Sequence, residues 1–414
     1  MGREPRTRVK RIDEGADRLM LPGYALVGLA LGAFVILNWA NGRLGMADFR
    51  VYFEAAGNWM QGYSPYGRTY GLASGYYKYA PIALLPWVLL QPLGWSIAST
   101  LYLLLMLGTM VWVMPRFVFH VRRMLMDRQV RLSRPTVWTV VIFTCLGLQH
   151  LSRELLLGNV NWFLLLGVGI WWRNMRMPRH ENSHAALNGL LLATICIFKP
   201  HFAILLPWLG WRRPTRYLLW TAAWGTCWLL LPSLWLGPME NALLLWDWAG
   251  ALLDHNTARI TSFNTVSGLL GLANSGAYSL IPVIVSIGLL IFWIALNRSV
   301  AKYQESLEVM VLVGIIPNLV LTDTEHFMWT FPFLAWWCLQ LTSKSFWENV
   351  QIWDRVLTTI AFAMLLIPYS LASPDLWGTT IGTYLEHGGP LGIANLFLIL
   401  GGIWMHHVYL TSDV

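Results

Sequence analysis

Long apolar runs alternate with short polar stretches along almost the whole chain. Residues 21–40 form the first run, and about 20 residues are enough for a helix to cross ~30 Å of hydrocarbon. Further spans are predicted near 97–119, 136–150, 160–172, 185–199, 200–211, 217–236, 278–297, 307–321, 327–341, 356–371 and 391–410. The pattern predicts an all-α polytopic membrane protein of about twelve transmembrane helices, forming one integral membrane domain over 1–414.

The stretch "APIALLPWVLLQPLGW" at 80–95 is apolar but contains three prolines, Pro81, Pro86 and Pro92. Proline breaks the hydrogen-bond ladder of a helix, so this stretch is unlike a straight span. We expect a re-entrant or tilted partial helix that is buried against protein. A full crossing is the alternative, and it would expose the following basic loops on the other side.

Composition and charge support a membrane protein and set its orientation. Apolar residues make up 56% of the chain, charged residues only 12%, and the mean hydropathy is +0.50, which excludes an ordinary soluble globule. The net charge of +8 is concentrated in short loops and in the basic tail 1–20, so it indicates orientation rather than nucleic-acid binding. The positive-inside rule predicts a cytoplasmic tail, and residues 21–40 then form an uncleaved signal-anchor.

Two segments on the opposite, external face are too long for simple hairpins. They are 41–80 and 237–277. Loops of this length in a compact domain are usually functional, so we expect 41–80 to be a catalytic loop and 237–277 to be a second external loop.

An acidic residue follows the first span, in the stretch "MADFRVYFEAAGNWMQGYSPYG". The pattern predicts an interfacial helix, and Asp48 admits two interpretations. It caps the helix, or it is a general base whose pKa is raised at the membrane edge. Tyr52 and Lys78 of the same loop are candidate substrate-binding residues. The tyrosines of this loop either anchor it at the membrane interface or stack on a sugar.

The stretch "RELLLGNVNWF" places four polar residues at the junction of two spans. They are Arg153, Glu154, Asn159 and Asn161. Polar groups at this depth are costly unless they pair or line a wet cavity. They either cap the two helices or line a substrate cavity on the same face as Asp48.

A lysine lies at a proline break in "IFKPHF" (197–202). Lys199 either extends to the interface or meets an anionic ligand group such as a phosphate. His201, Arg259 and His326 fall on the same predicted face and are further candidate donors, although each alone is more commonly structural. Asn264, in "RITSFNTVSGLLGL", either caps the next helix or contacts substrate.

Recognisable metal and nucleotide motifs are absent from the sequence. The four cysteines lie singly in apolar runs, and no P-loop, dinucleotide fingerprint or HExxH motif occurs. We therefore predict no metal and no cofactor.

The order of these pieces resembles glycosyltransferase family 87 of the GT-C superfamily. The matching phrases are "DFRVYFEAAGNWMQGYSPYG", "YKYAPIALLPW", "LLLGNVNWFLLL", "IFKPHFAILLPW" and, more loosely, "SFNTVSGLLG" and "EHFMWTFP". The resemblance implies that Asp48 deprotonates an acceptor hydroxyl and that Lys199 faces a lipid phosphate. "GNVN" departs from the expected glycine-glutamine-x-asparagine, since Asn159 carries the shorter side chain.

The resemblance further implies an inverting transferase in the bacterial inner membrane, with its active site facing outside. It would move a hexose, with mannose expected, from a polyprenyl-phosphate donor to a lipid-linked or glycolipid acceptor, with membrane lipids as further partners. A transporter or flippase of a lipid-linked sugar is the alternative, because the same carboxylate and lysine would bind substrate without breaking a bond.

Overall fold

The computed structural model describes residues 6–70, 75–125, 135–176, 182–260, 262–272, 280–296, 302–320, 323–343, 347 and 352–411. Within those ranges the chain is α-helical, and the one β-bridge joins Thr69 to Tyr76. The first helices are α1 (Arg6–Ala40), α2 (Ala47–Met60), α3 (Leu85–Leu90), α4 (Gly94–Leu125), α5 (Val137–Leu157), α6 (Asn161–Met175) and α7 (Asn182–Phe198). The all-α prediction is confirmed.

The second half of the chain continues in the same way. Its helices are α8 (Leu205–Arg212), α9 (Thr215–Leu230), α10 (Ser233–Leu236), α11 (Pro238–Ile260), α12 (Val266–Leu269), α13 (Leu280–Leu296), α14 (Lys302–Gly314), α15 (Ile316–Leu319), α16 (Phe331–Leu341), α17 (Ile352–Ser370), α18 (Pro374–His387) and α19 (Pro390–Thr411). Short 3₁₀ turns occupy Pro200–Ile204 and Thr324–Thr330. Lys199 directly precedes the first of these turns, and His326 lies within the second.

Three helical stretches among the described residues are long and apolar enough to cross a membrane. They are Leu21–Ala40, Pro81–Leu125 and Val137–Leu157, and the bent pair Pro374–His387 and Pro390–Trp404 makes a fourth if it is one span. The membrane-protein prediction is confirmed, while the count of about twelve stays a prediction. Several remaining helices match a predicted span in position but are shorter than about 17 residues, as the 15-residue α6 illustrates.

The proline-rich stretch 80–95 is broken into short pieces, as its composition predicts. It forms a 3₁₀ turn at Pro81–Leu84, helix α3 and a second turn at Gln91–Leu93. Each piece carries a proline in its first turn, where the missing N–H costs least.

The long segment after Gly237 differs from the expected loop. Most of it is the 23-residue helix α11. Two hydrogen bonds attach α11 to the loop after α2: the Ser64 hydroxyl donates to Asp247, and the Trp248 indole N–H donates to the Lys78 carbonyl. This helix therefore packs against the loop after α2 and lies at the edge of the site described next.

The buried core runs through the whole bundle, from Val27 in α1 to Ile399 in α19. Helix α7 packs along α9, and α5 lies between α1, α4 and the 3₁₀ turn at Thr324–Thr330. Because α5 contacts both the start of the chain and this late turn, its C-terminal end holds together the segments that form the site.

Candidate active site

One cavity of about 260 Å³ collects most of the predicted site residues. The first group of lining residues comes from the N-terminal half of the chain: Asp48, Tyr52, Lys78, Tyr79, Arg153 and Asn159. The second group comes from later corners: Lys199, His201, Leu252, Asp323, Glu325 and His326. Eight predicted residues thus meet in one place although they are up to 278 positions apart along the chain, from Asp48 to His326.

A close approach between α5 and α2 sets the position of Asp48. Helix α5 ends at Gly158 in the left-handed conformation (φ 63°), directly against the start of α2. A Cβ on Gly158 would lie 2.8 Å from the Phe49 Cβ and 3.0 Å from the Met46 Cε, so a side chain does not fit. This contact brings Asn159, the next residue, beside Asp48.

Asn159 orients the Asp48 carboxylate. Its side-chain amide donates to Asp48 Oδ2 at 2.5 Å, while its Oδ1 accepts from the Val160 N–H at 2.7 Å and the Tyr52 hydroxyl at 3.2 Å. Because two donors hold Oδ1, the amide nitrogen is the end that faces Asp48. The Tyr52 hydroxyl also lies 2.9 Å from that of Tyr79, which extends the network into the cavity wall.

The capping interpretation of Asp48 is wrong for this structure. The N-cap position of α2 is Met46, with no side-chain capping hydrogen bond, and Asp48 lies within the first turn. Its negative charge still suits the helix N-terminus. Its carboxylate accepts from Asn159 instead.

Desolvation raises the pKa of the Asp48 carboxyl above its ordinary value. The positive charges of Lys78 and Lys199 and the hydrogen bond from Asn159 oppose this shift, whereas the nearby Asp323 charge adds to it. A carboxylate of raised pKa that still ionises is suited to taking a proton from a hydroxyl.

Lys199 is the buried cation of the cavity. It lies between α7 and the 3₁₀ turn Pro200–Ile204, where Pro200 ends the helix. Lys199 is only 6% exposed. Its Nζ donates to His326 Nε2 at 2.6 Å and lies 5.4 Å from the centre of the Trp329 ring. An ammonium group only donates, so His326 Nε2 accepts and the proton of its ring is on Nδ1, which lies 3.9 Å from Glu325 Oε1.

Arg153 joins three segments at the rim. Its guanidinium lies 3.9 Å from Glu325 and 3.9 Å from Glu386, and the side chain is about half exposed. Glu386 in turn accepts a hydrogen bond from the Thr324 hydroxyl. Arg153 is thus paired with two later carboxylates, which connect α5 to the 3₁₀ turn Thr324–Thr330 and to α18.

Asp323, Glu325 and His326 offer one ligand atom each within 4.8 Å of one another. This donor set is of the kind that binds divalent cations, and the sequence analysis did not anticipate it. Lys199 and Arg153 already place positive groups against His326 and Glu325. Burial, followed by the charges of Asp323 and Asp48, raises the pKa of the Glu325 carboxyl well above its ordinary value.

Three predicted residues, Glu154, Asn161 and Asn264, have other surroundings. Glu154 accepts from Asn161 at 3.1 Å and from the Trp162 N–H at 2.8 Å, which closes the first turn of α6. Asn264 is buried and bonds the Glu386 carbonyl and the Gly392 N–H, so it ties the segment 262–272 to α18 and α19. The side chain of Arg259 lies outside the described residues.

Three cavity residues were missed by sequence reasoning. Tyr79 and Glu325 lie in the phrases "YKYAPIALLPW" and "EHFMWTFP", and Asp323 lies two residues before the second phrase, but neither pattern shows which side chain points inward. A signal was present for the carboxylates, since two acidic residues and a histidine at a predicted helix corner are rare in an apolar chain.

Comparison with known protein families identifies the family of the chain. The family model described as glycosyltransferase family 87 matches residues 77–322, which include Lys78, Asn159 and Lys199 and exclude Asp48 and His326. No curated protein and no solved structure matches the chain significantly. Because the model covers more than half of the 414 residues, the chain belongs to glycosyltransferase family 87, and its activity is the transfer of a sugar from a donor to an acceptor.

Proposed function

We propose that the protein is an inverting GT-C glycosyltransferase that uses a polyprenyl-phosphate-linked sugar as its donor. It transfers a hexose, with mannose expected, to a hydroxyl of a lipid-linked or glycolipid acceptor at the external membrane face. The observation that carries the proposal is the shared cavity. It holds a carboxylate oriented by an amide, Asp48 with Asn159, together with a buried lysine, Lys199.

The donor half of the proposal rests on Lys199 and His326. A lipid-linked donor enters between helices and needs no nucleotide site, but its phosphate must meet positive charge at the membrane boundary. As the bond between the anomeric carbon and the phosphate oxygen breaks, the electron pair leaves with the phosphate. Lys199 stabilises that negative charge more in the transition state than in the ground state, which is what accelerates the reaction.

The acceptor half rests on Asp48. The acceptor oxygen bonds to the anomeric carbon from the face opposite the leaving phosphate, and its proton passes to the Asp48 carboxylate. One displacement of this kind inverts the configuration at that carbon. General-base assistance typically contributes ~10²–10⁴ in rate.

The size of the cavity agrees with this division. A volume of about 260 Å³ is near the lower end of ligand pockets, which are roughly 300–1,000 Å³. It suits a single sugar unit with its phosphate rather than a whole glycolipid.

The experiment is transfer of radiolabelled mannose from synthetic polyprenyl-phosphate-mannose into a total lipid extract. Purified wild type and the Asp48→Asn variant are compared in detergent. We expect a labelled glycolipid with wild type alone. Absence of transfer from mannose, glucose and arabinose donors, with donor still bound, would contradict the proposal and favour transport of a lipid-linked sugar.

A further inference from the structure

A second, polar groove lies beside the catalytic cavity. We propose that it binds the sugar units of a glycosylated acceptor that lie behind the reacting hydroxyl, an inference that rests on the proposed function and specifies its acceptor class. The groove has a volume of about 410 Å³. We call it the distal groove and define it by Glu54, Asn58, Gln61, Arg68, Tyr70 and Gln91.

Helix α2 separates the two sites. Asp48 and Tyr52, four residues apart, line the catalytic cavity, whereas Glu54, Asn58 and Gln61 recur at spacings of three to four and line the distal groove. At 100° per residue, the groove stripe lies about 120° around the helix from Asp48. The same helix thus presents one face to each site.

The Thr69–Tyr76 bridge forms the other partition. Thr69 and Tyr70 line the distal groove, while Gly75 and Tyr76 line the catalytic cavity. The two segments are joined by the bridge and by a hydrogen bond from the Tyr70 N–H to the Gly75 carbonyl at 2.8 Å. Neighbouring extended segments lie about 5 Å apart, so only the width of one ribbon separates the two sites.

The chemistry of the distal groove fits polyhydroxylated ligands. It presents one carboxylate, three amides and one guanidinium, all planar groups with paired donor or acceptor atoms. Vicinal sugar hydroxyls both donate and accept, and such pairs match these groups in a bidentate manner. Because Glu54 and Arg68 carry opposite charges, the groove is better suited to a neutral glycan than to an anion alone.

Several of these groups are already held in place. Glu54 accepts from the Arg50 guanidinium at 2.6 Å, Gln91 donates to the Phe53 carbonyl at 2.5 Å, and Asn58 donates to the Tyr70 hydroxyl at 3.4 Å. The last two contacts use a side-chain amide N–H of Gln91 and of Asn58 and hold both side chains in place. Preorganised groups of this kind lose little conformational entropy on binding.

An exposed aromatic ring lies beside Arg68, one of the residues that define the distal groove. The Arg68 guanidinium lies 5.1 Å from the centre of the Tyr63 ring, and Tyr63 is 51% exposed. An exposed aromatic ring beside planar polar groups is the combination that binds a sugar, with apolar C–H groups on the ring and hydroxyls on the polar groups.

The test compares acceptors of different length. Purified wild type and the Gln61→Ala/Arg68→Ala double variant are assayed with octyl mannoside and octyl trimannoside. Both substituted residues are exposed, so the fold is retained, and Arg43→Ala is the matched control because Arg43 is an exposed arginine outside both sites. We expect the KM of the double variant for the trisaccharide acceptor to rise about tenfold and that for the monosaccharide acceptor to change less than twofold.

A binding measurement keeps this inference separate from the proposed function. Saturation-transfer NMR with trimannose and protein lacking donor reports the distal groove without any catalysis. Binding by wild type and Arg43→Ala that is lost in the double variant supports the inference even if no polyprenyl donor is used. Equal binding by the double variant, or none by wild type, would overturn it.

Discussion

The side-chain amide of Asn159 donates a hydrogen bond to the Asp48 carboxylate across 111 positions of the chain. The contact exists because Gly158 ends α5 in a conformation that admits the start of α2 without a side chain between them. The orientation of a side chain in the first turn of α2 is thus fixed by the junction of α5 and α6. Asn159 is therefore a positioning residue, which acts through Asp48.

Replacing Asn159 by alanine removes this orientation. Hydrogen bonds to charged groups contribute about 1.5–3 kcal/mol, so we expect kcat/KM to fall roughly 10- to 100-fold. The same bond lowers the pKa of the Asp48 carboxyl, so its loss should move the acidic limb of the pH profile to higher pH. Asn41→Ala, at an exposed amide outside both sites, is the control. A reduced rate with an unmoved acidic limb would contradict the positioning role.

The charge of Lys78 should influence the pH below which transfer activity is lost. Asp48 must be ionised to accept a proton, so kcat/KM falls as pH decreases through its pKa, which burial raises. Lys78 lowers that pKa, and Lys78→Met removes the effect. We expect the acidic limb of log kcat/KM against pH to shift to higher pH in Lys78→Met and to stay in place in Arg43→Gln. A limb that moves to lower pH would be inconsistent with Asp48 as the base.

Lys199 should contribute mainly to bond breaking. Removing a group that stabilises developing charge typically costs about 10²–10³ in kcat, and we expect Lys199→Met to lose at least that much. Lys199→Arg keeps the charge and should retain part of the activity. Elution of both variants as single peaks in size-exclusion chromatography checks the fold. Activity of Lys199→Met within tenfold of wild type would exclude contact with the leaving phosphate.

The cluster of Asp323, Glu325 and His326 allows a test of whether transfer requires a metal ion. Lys199 and Arg153 already place cationic groups against two of its members, so the phosphate has a positive partner without an ion. We expect transfer to continue in excess EDTA at an unchanged rate. Loss of activity in EDTA that Mg²⁺ or Mn²⁺ restores would contradict this expectation. If the Asp323→Asn variant no longer responds to the added metal, the cation is assigned to this cluster.

The positions of the helices were largely predictable from the sequence. Apolar runs such as 97–119 and 136–150 lie inside α4 and α5, because burial or lipid exposure of both helix faces produces an unbroken run. One exception is α11, where Glu240, Asp247 and Asp254 interrupt the apolar positions, so that it lacks the continuous run of a span. Its helix is supported by contacts with the loop after α2 that no local pattern reveals.

The members of the site were more predictable than their contacts. Asp48 and Lys199 stand out because charge is rare among apolar residues, and both line the cavity. Glu154 is equally conspicuous, yet it bonds Asn161 and the Trp162 N–H at the start of α6. Such partners depend on helix packing, so neither the pair of Arg153 with Glu325 nor that of Lys199 with His326 can be deduced from spacing.

The most direct measurement of the central claim is single-turnover transfer by Asp48→Asn together with its affinity for the polyprenyl-phosphate-sugar donor. The substitution keeps the size of the side chain and removes its ability to accept a proton. If Asp48 is the base, the transfer rate falls by ~10²–10⁴ while the donor Kd stays within about twofold of wild type. Transfer within tenfold of wild type, or loss of donor binding with loss of transfer, would contradict the assignment.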